Sequence, residues 1–377
     1  MPRRKRNQQQ GPQATRRITL DDVAKAAGVS KATVSRVING KSCVRPHVRE
    51  RVLKAVRKMD YHPNAVARAL ATRRTGQAGL LLALPSSMPG YGLGLIQGVE
   101  AVLRREQMHL VLNVMDTQSA QWDPPSTVSQ RQVDGLIVGG DLRGASWLKS
   151  LSADAMPVVV LGDEVPEGLA ASAVTIDWMT PSAQVVERLL GAGHRRIGAV
   201  IPGGRWGEQV RSGIERALAA AGLPADAARI ARVETEELRN GTAHAAGYRA
   251  ARSLLGLDGT ASARGSVLSG ITALYVAHEA LVPGVLHALK ESGIAVPQDL
   301  ALVVWGHGSA GEQAMGLTCV TVNREQMGRM AALMLLDLLK DRGRPPVQLA
   351  ITPNLVVRES CGIQRTPNEA TRAYSFA

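Results

Sequence analysis

The chain has 377 residues, enough for two or three domains, and its 45% apolar content excludes wholesale disorder, while 3% aromatics leave core packing to Ala, Val and Leu. The net charge of +13 is unevenly placed: residues up to Gly76 hold 19 Lys and Arg against four acidic residues, a formal +15, and the remainder carries −2. A basic head on a nearly neutral body suits an anionic polymer held by the head alone, with a body that does something else.

Met1 to Arg17 is rich in Arg, Gln and Pro without an apolar period, and reads as a flexible basic arm. Order is predicted from Ile18. Leu20, Val23, Ala24 and Ala27 repeat at helical spacing behind Thr19, with Asp21 and Asp22 in the dipole-favoured first turn and Gly28 as the stop. Ser30 is an N-cap for a second helix with Val34, Val37 and Ile38 on its apolar side, closed by Asn39-Gly40. Pro46 suits the first turn of a third helix, whose inward face is Val48, Val52, Val56 and Met59. Three short helices with a tight first turn match the helix-turn-helix plan over residues 18–62. Beyond His62-Pro63, Asn64 to Thr72 reads as a two-turn helix, too short to hold without support, so residues 63–76 are expected to be a hinge helix and linker.

After Gly76 short apolar runs alternate with amphipathic stretches. The runs are Gly79–Leu84, His109–Val114, Gly135–Val138, Val158–Leu161, Arg196–Ile201, Ala273–Val276 and Leu300–Trp305. The helical stretches include Leu93–Arg105, Pro181–Ala192, Gln209–Ala221, Pro283–Ser292 and Gln326–Leu339. This alternation predicts parallel α/β sheets in two lobes, with a ligand or interface between them. The expected effector and dimerisation domain is 77–361, divided into a first lobe at about 77–173 and 321–341 and a second at about 174–320 and 342–361, with 362–377 as a flexible tail.

Cys43, Cys319 and Cys361 have no metal or disulfide spacing, and the apolar runs fall far short of the ~18 residues that span a bilayer. A cytoplasmic, nucleoid-associated protein with no membrane partner, no metal and no cofactor is expected. Gly90-x-Gly92-x-Gly94 is not a dinucleotide fingerprint, and GxxxxGK[ST], HExxH and GxSxG are all missing, so no catalytic residues are assigned and no enzyme is expected.

The segment from Thr19 to Leu70, with DVAxxAGVSxxTVSRVxN at Asp22 to Asn39, closely resembles the headpiece and hinge of LacI/GalR-family bacterial transcription regulators. The resemblance runs on more weakly through VDGLIV, VVVLGDEVP, GAGHRRIGAVIPG and MGRMAALMLLDLL to TPNLVVRES at Thr352–Ser360. It implies an all-α helix-turn-helix headpiece plus an α/β two-lobed effector domain like the periplasmic binding proteins. By motif position, Lys31 and Ala32 would read bases and Arg36 would add a base contact, with Thr19, Thr33, Ser35 and Asn39 on the backbone and Leu20 as a further DNA-binding residue. The resemblance makes Leu70 a minor-groove wedge beside Asn64 and Ala67; paired wedges imply a homodimer on a palindromic double-stranded operator, with association of two dimers left open.

Three departures from the family pattern touch the sugar-binding positions. Val210 stands where the family carries Arg, with Arg211 one place late; His278-Glu279 replaces Asn-Asp; Val304-Trp305-Gly306-His307 replaces Gly-aromatic-Asp-Asp. Losing these partners argues against the usual free sugar. A less polar or acidic molecule met by Arg211, His278, Trp305 and His307, with Tyr91 as a further cleft candidate and Asp163 and Asp177 as either cleft groups or strand-end caps, is one expectation; no effector at all is the other. The function expected is a sequence-specific regulator, on family grounds a repressor, against the alternative of an architectural DNA-binding protein with a ligand-blind effector domain.

Overall fold

In a computed structural model of the chain, residues 18–38, 43–61, 74–84, 91–116, 123–153, 156–162, 165–257, 270–306 and 310–362 are described. The chain divides into two compact units, Met1–Thr75 and Gly76–Ala377. The expected hinge helix, Asn39, Asp163 and His307 lie outside the described residues.

The first unit is built from α1 (Leu20–Ala27), α2 (Lys31–Ile38) and α3 (Pro46–Lys58). A capping box opens α1: the Asp22 amide donates to Thr19 Oγ1 at 3.3 Å, and the Thr19 amide donates to Asp22 Oδ2 at 2.9 Å. Gly28 closes it at φ +59°, and the Val29 amide reaches back to the Ala24 carbonyl, which turns the chain sharply into α2. Ser30 caps α2 by accepting from the Thr33 amide at 3.2 Å. Val23, Ala24, Ala27, Val34, Val37, Val52, Ala55 and Tyr61 form the small core. In α3 the fully buried residues are Val52 and Ala55, while Val48, Val56 and Met59 are half-buried at its edge.

The second unit holds two six-stranded sheets. The first comprises β1 (Gln77–Leu84), β2 (His109–Asp116), β3 (Gly135–Gly140), β4 (Val158–Leu161), β5 (Ser172–Ile176) and β11 (Gln348–Ile351), in the order β11-β5-β4-β3-β1-β2 and all parallel. The second comprises β6 (Ile197–Pro202), β7 (Ala228–Val233), β8 (Ala273–Val276), β9 (Ala301–Gly306), β10 (Thr318–Thr321) and β12 (Asn354–Val356), in the order β12-β10-β9-β8-β6-β7, with the β10–β12 pair antiparallel. Near-continuous apolar strands such as β6 and β9, buried along their whole length, are what a sheet covered on both faces requires.

The covering helices are α4 (Tyr91–Arg105), α5 (Ser126–Ser129), α6 (Leu148–Ala153), α7 (Met179–Gly191), α8 (Gly204–Ala220), α9 (Thr235–Arg239), α10 (Ala243–Leu255), α11 (Val282–Glu291), α12 (Ala310–Ala314) and α13 (Arg324–Lys340). Helix α13 packs on α4 and on β3, β4 and β5 of the first sheet. The two helices nearly touch, because a Cβ at Gly98 would stand 2.0 Å from the Glu325 carbonyl oxygen and one at Gly328 would stand 2.3 Å from that of Leu95.

The sheet boundaries differ from those read in the sequence. β5 keeps the first sheet to Ile176, Thr321 still pairs within the second, and β11 returns Gln348–Ile351 to the first. Edge strands of three or four partly exposed residues carry almost no apolar signal, so their membership is decided by pairing partners. The backbone therefore passes between the sheets three times, after β5, after β10 and after β11.

Candidate nucleic-acid interface and interlobe site

On α2, Lys31, Ala32 and Arg36 are exposed, and Thr33 and Ser35 are half-buried, while Val34 and Val37 are sealed into the core. The residues expected to read bases therefore share the open side of one helix, with the first two in its first turn. Lys31 Nζ lies 3.0 Å from Asp21 Oδ2, a pair in which both side chains are more than half exposed, so it contributes at most about 1 kcal/mol and can be exchanged for DNA. Thr33 Oγ1 lies 2.9 Å from Ser30 Oγ, and Thr19 Oγ1 2.7 Å from Asp22 Oδ2, so both hydroxyls sit at helix N-termini. Helix starts of this kind favour phosphate. Leu20 is half-buried against the headpiece core. Asn39, Asn64, Ala67 and Leu70 lie outside the described residues.

In the second unit, the carboxyl ends of the strands of the second sheet carry a different arrangement. Trp305 near the end of β9, Trp178 at the N-cap of α7, Trp206 in the first turn of α8 and His278 after β8 form one continuous column of rings. Ring centroids are 4.1 Å apart for Trp305–Trp178, 4.4 Å for Trp178–Trp206 and 4.4 Å for Trp206–His278, with interplanar angles of 30° to 34°. Trp305 is 1% exposed, His278 3% and Trp178 4%.

Local structure fixes each ring. The Trp178 carbonyl accepts from Ser182 Oγ at 2.8 Å, and Ser182 Oγ meets Tyr275 Oη at 3.1 Å. Burial pushes the Tyr275 phenol well above its ordinary value, with the Ser182 bond opposing, so it stays protonated. His278 Nδ1 accepts from the Ala280 amide at 3.0 Å, which orients its ring and leaves that nitrogen without a proton. Beside Trp206, a Cβ at Gly207 would stand 1.8 Å from the Pro202 carbonyl oxygen, so only glycine permits α8 to start this close to β6.

Other expected cleft residues have local partners. Asp177 Oδ1 accepts from the Met179 and Thr180 amides at 3.1 Å, which is the capping role left open by its sequence. Arg211 donates to Glu215 at 2.7 Å on the exposed side of α8. Tyr91 is the first residue of α4. Sequence reading missed Trp178 and Trp206 as site residues: Trp206 follows the predicted run Arg196–Ile201 by five residues, and Trp178 follows no run that was read as a strand.

Among the described residues, ion pairs at Arg324 and at Arg143 join the lobes. Arg324, first residue of α13, meets Glu279 at 3.2 Å, with the side chains only 11% and 10% exposed. Arg143, in the loop after β3, meets Glu236 of α9 at 2.9 Å in solvent. Among the described residues, no helix is long and apolar enough to cross a membrane, and no group of three or more His, Cys, Asp or Glu is placed to hold a metal ion.

The family model described as bacterial regulatory proteins, lacI family, matches residues 19–64, and the periplasmic binding protein-like domain matches residues 186–361. The HTH-type transcriptional regulator CelR of Thermobifida fusca is 32% identical over 92% of this chain and 98% of its own length. The chain belongs to the LacI family. It is thus a DNA-binding transcription regulator with a helix-turn-helix headpiece and a two-sheet α/β domain of the periplasmic-binding-protein type. A solved CelR–cellobiose complex is similar with a TM-score of 0.59 and 29% identity, over 91% of this chain and 100% of that one. A lac repressor dimer bound to operator and the anti-inducer ONPF shares the fold with a TM-score of 0.66 at 21% identity, over 91% of this chain and 99% of that one.

Proposed function

We propose that this LacI-family chain is a repressor that acts as a homodimer on a palindromic operator, and that its cleft does not take the usual free sugar. The observation that carries the DNA reading is the exposure of Lys31, Ala32 and Arg36 together on α2, whose opposite side is locked in the headpiece core. A helix presented in this way can enter the major groove, where Lys31 donates to guanine, Ala32 offers an apolar contact such as to a thymine methyl, and the helix-start hydroxyls of Thr19 and Thr33 fix register on phosphate.

Dimerisation is supported by the relative solved as a dimer on its operator. Each half-site then receives one headpiece, and Leu70, Ala67 and Asn64 act at the operator centre as a wedge and its flanks. The effector reading rests on the local engagement of Asp177 and Arg211 and on the burial of Trp305 and His278, which, among the described candidates, takes up groups that would otherwise meet sugar hydroxyls.

Selection of duplexes from a random-sequence pool at physiological salt tests the proposal. A palindrome with a central CG step is the expected result. Binding without a consensus that fades steadily as salt rises would overturn it in favour of an architectural DNA-binding protein.

A further inference from the structure

In the column, each pair of neighbouring rings is in contact. Inserting a sugar or aromatic ring between two faces requires them about 7–8 Å apart, whereas the three successive centroid separations here are 4.1, 4.4 and 4.4 Å. The column is also continuous with both lobes: one buried apolar cluster contains Leu80, Val174 and Ile176 of the first sheet, Trp178, and Ile201, Val303 and Trp305 of the second.

Two of the three passages between the sheets are tied to this place. Trp178 lies in the passage after β5, and its ring is held against Trp206 and Trp305 of the second lobe. Arg324 ends the passage after β10, and its guanidinium is held by Glu279, the residue after His278, in a pair that is about nine-tenths buried. Separating the lobes would expose indole faces and leave a shielded carboxylate and guanidinium without each other, so the same opening motion breaks both.

We propose that the chain serves as its own cleft ligand: the Trp305–Trp178–Trp206–His278 column, latched by Glu279–Arg324, holds one lobe arrangement without any small molecule, and operator binding is therefore independent of effector. The inference rests on the DNA-regulator reading for its consequence but not for its geometry. Control of this regulator then lies in its amount or its partners rather than in a metabolite.

The test uses the full-length protein without DNA and then with the selected operator. Hydrogen–deuterium exchange of the wild type is expected to be slow at residues 177–180 and 322–324, with no change on adding millimolar glucose, cellobiose, ribose or glucose 6-phosphate. The thermal midpoint is expected to stay constant with the same probes. Trp206→Ala should accelerate exchange at 177–180 by on the order of 100-fold and lower the midpoint, and millimolar indole should reverse both in the variant while leaving the wild type unaffected, because an indole-shaped hole lined by rings is an apolar site. Fast exchange at both passages in the wild type, or a midpoint raised by any of the sugars, would overturn the proposal without recourse to the variant. Failure to select an operator leaves these readouts unchanged, so it would remove the DNA reading alone; an operator affinity altered more than twofold by a sugar would remove the effector independence.

Discussion

The buried hydroxyls of Ser182 and Tyr275 stand 3.1 Å apart, and because the single Ser182 proton goes to the Trp178 carbonyl, Tyr275 must be the donor to Ser182. This directional relay joins β8 of the second sheet to the passage that leaves the first. Ser182→Ala deprives a fully buried phenol of its acceptor and should cost about 1–3 kcal/mol, whereas Tyr275→Phe deletes the donor itself and should cost less, about 1 kcal/mol. Urea unfolding of both variants measures the difference, and equal losses would mean that the relay runs the other way.

In the headpiece, Lys31→Ala is expected to change which base is preferred at one operator position, by about 1–3 kcal/mol, while Thr33→Val weakens all sequences alike. Because the Lys31–Asp21 pair is exposed, Lys31→Ala should not move the thermal midpoint appreciably. Competition binding against a set of single-base operator variants separates the two effects. Leu70→Ala should lower specific affinity more than nonspecific affinity, as loss of a wedge requires.

The contact of α4 with α13 predicts a steep steric response. Gly98→Ala would place a methyl 2.0 Å from backbone oxygen, with no flexible side chain to yield, so the helices must separate at a cost of about 1–3 kcal/mol or more. Gly191→Ala, with nothing within 4 Å of the added carbon, serves as the control and should be close to neutral in the same denaturation assay.

His194 carries a pH effect that burial predicts. Its Nδ1 lies 2.9 Å from Thr272 Oγ1, and desolvation lowers its pKa below the ordinary 6.5. Between the folded and unfolded values the unfolded chain binds more protons, so stability rises with pH in that window. The contribution is fully present above about 6.5 and is lost as pH falls through the folded value. Denaturation midpoints measured across that range should drop toward acid in the wild type and drop less in His194→Gln.

The headpiece was legible because its signals are local: Thr19, Gly28, Ser30 and Pro46 each punctuate a helix through groups within a few residues of themselves. The long buried strands were legible for the same reason, as uninterrupted apolar runs. Strand β7, with its two Arg and half-exposed pattern, and the Ala-rich α10 escaped, since neither carries a clean period. The aromatic column was invisible because its four residues are spread over 128 positions from Trp178 to Trp305 and meet only when two sheets bring their strand ends together. The family pattern drew attention to Trp305 and His278 as substitutions, yet what they touch depends on Trp178 and Trp206, neither of which was singled out as a site residue.

The order in which the two sheets are threaded also has a cost during synthesis. The first sheet cannot be covered until α13 has been made and cannot gain its β11 edge until residue 351 has left the ribosome, although its first strand begins at Gln77. During translation the outer edge of β5 and the apolar face awaiting α13 therefore stand open while the whole second sheet except β12 is being made, a long exposure of the surfaces that chaperones bind and that drive misassembly. Truncation between β5 and α13 is thus expected to yield an aggregating chain rather than an isolated first lobe.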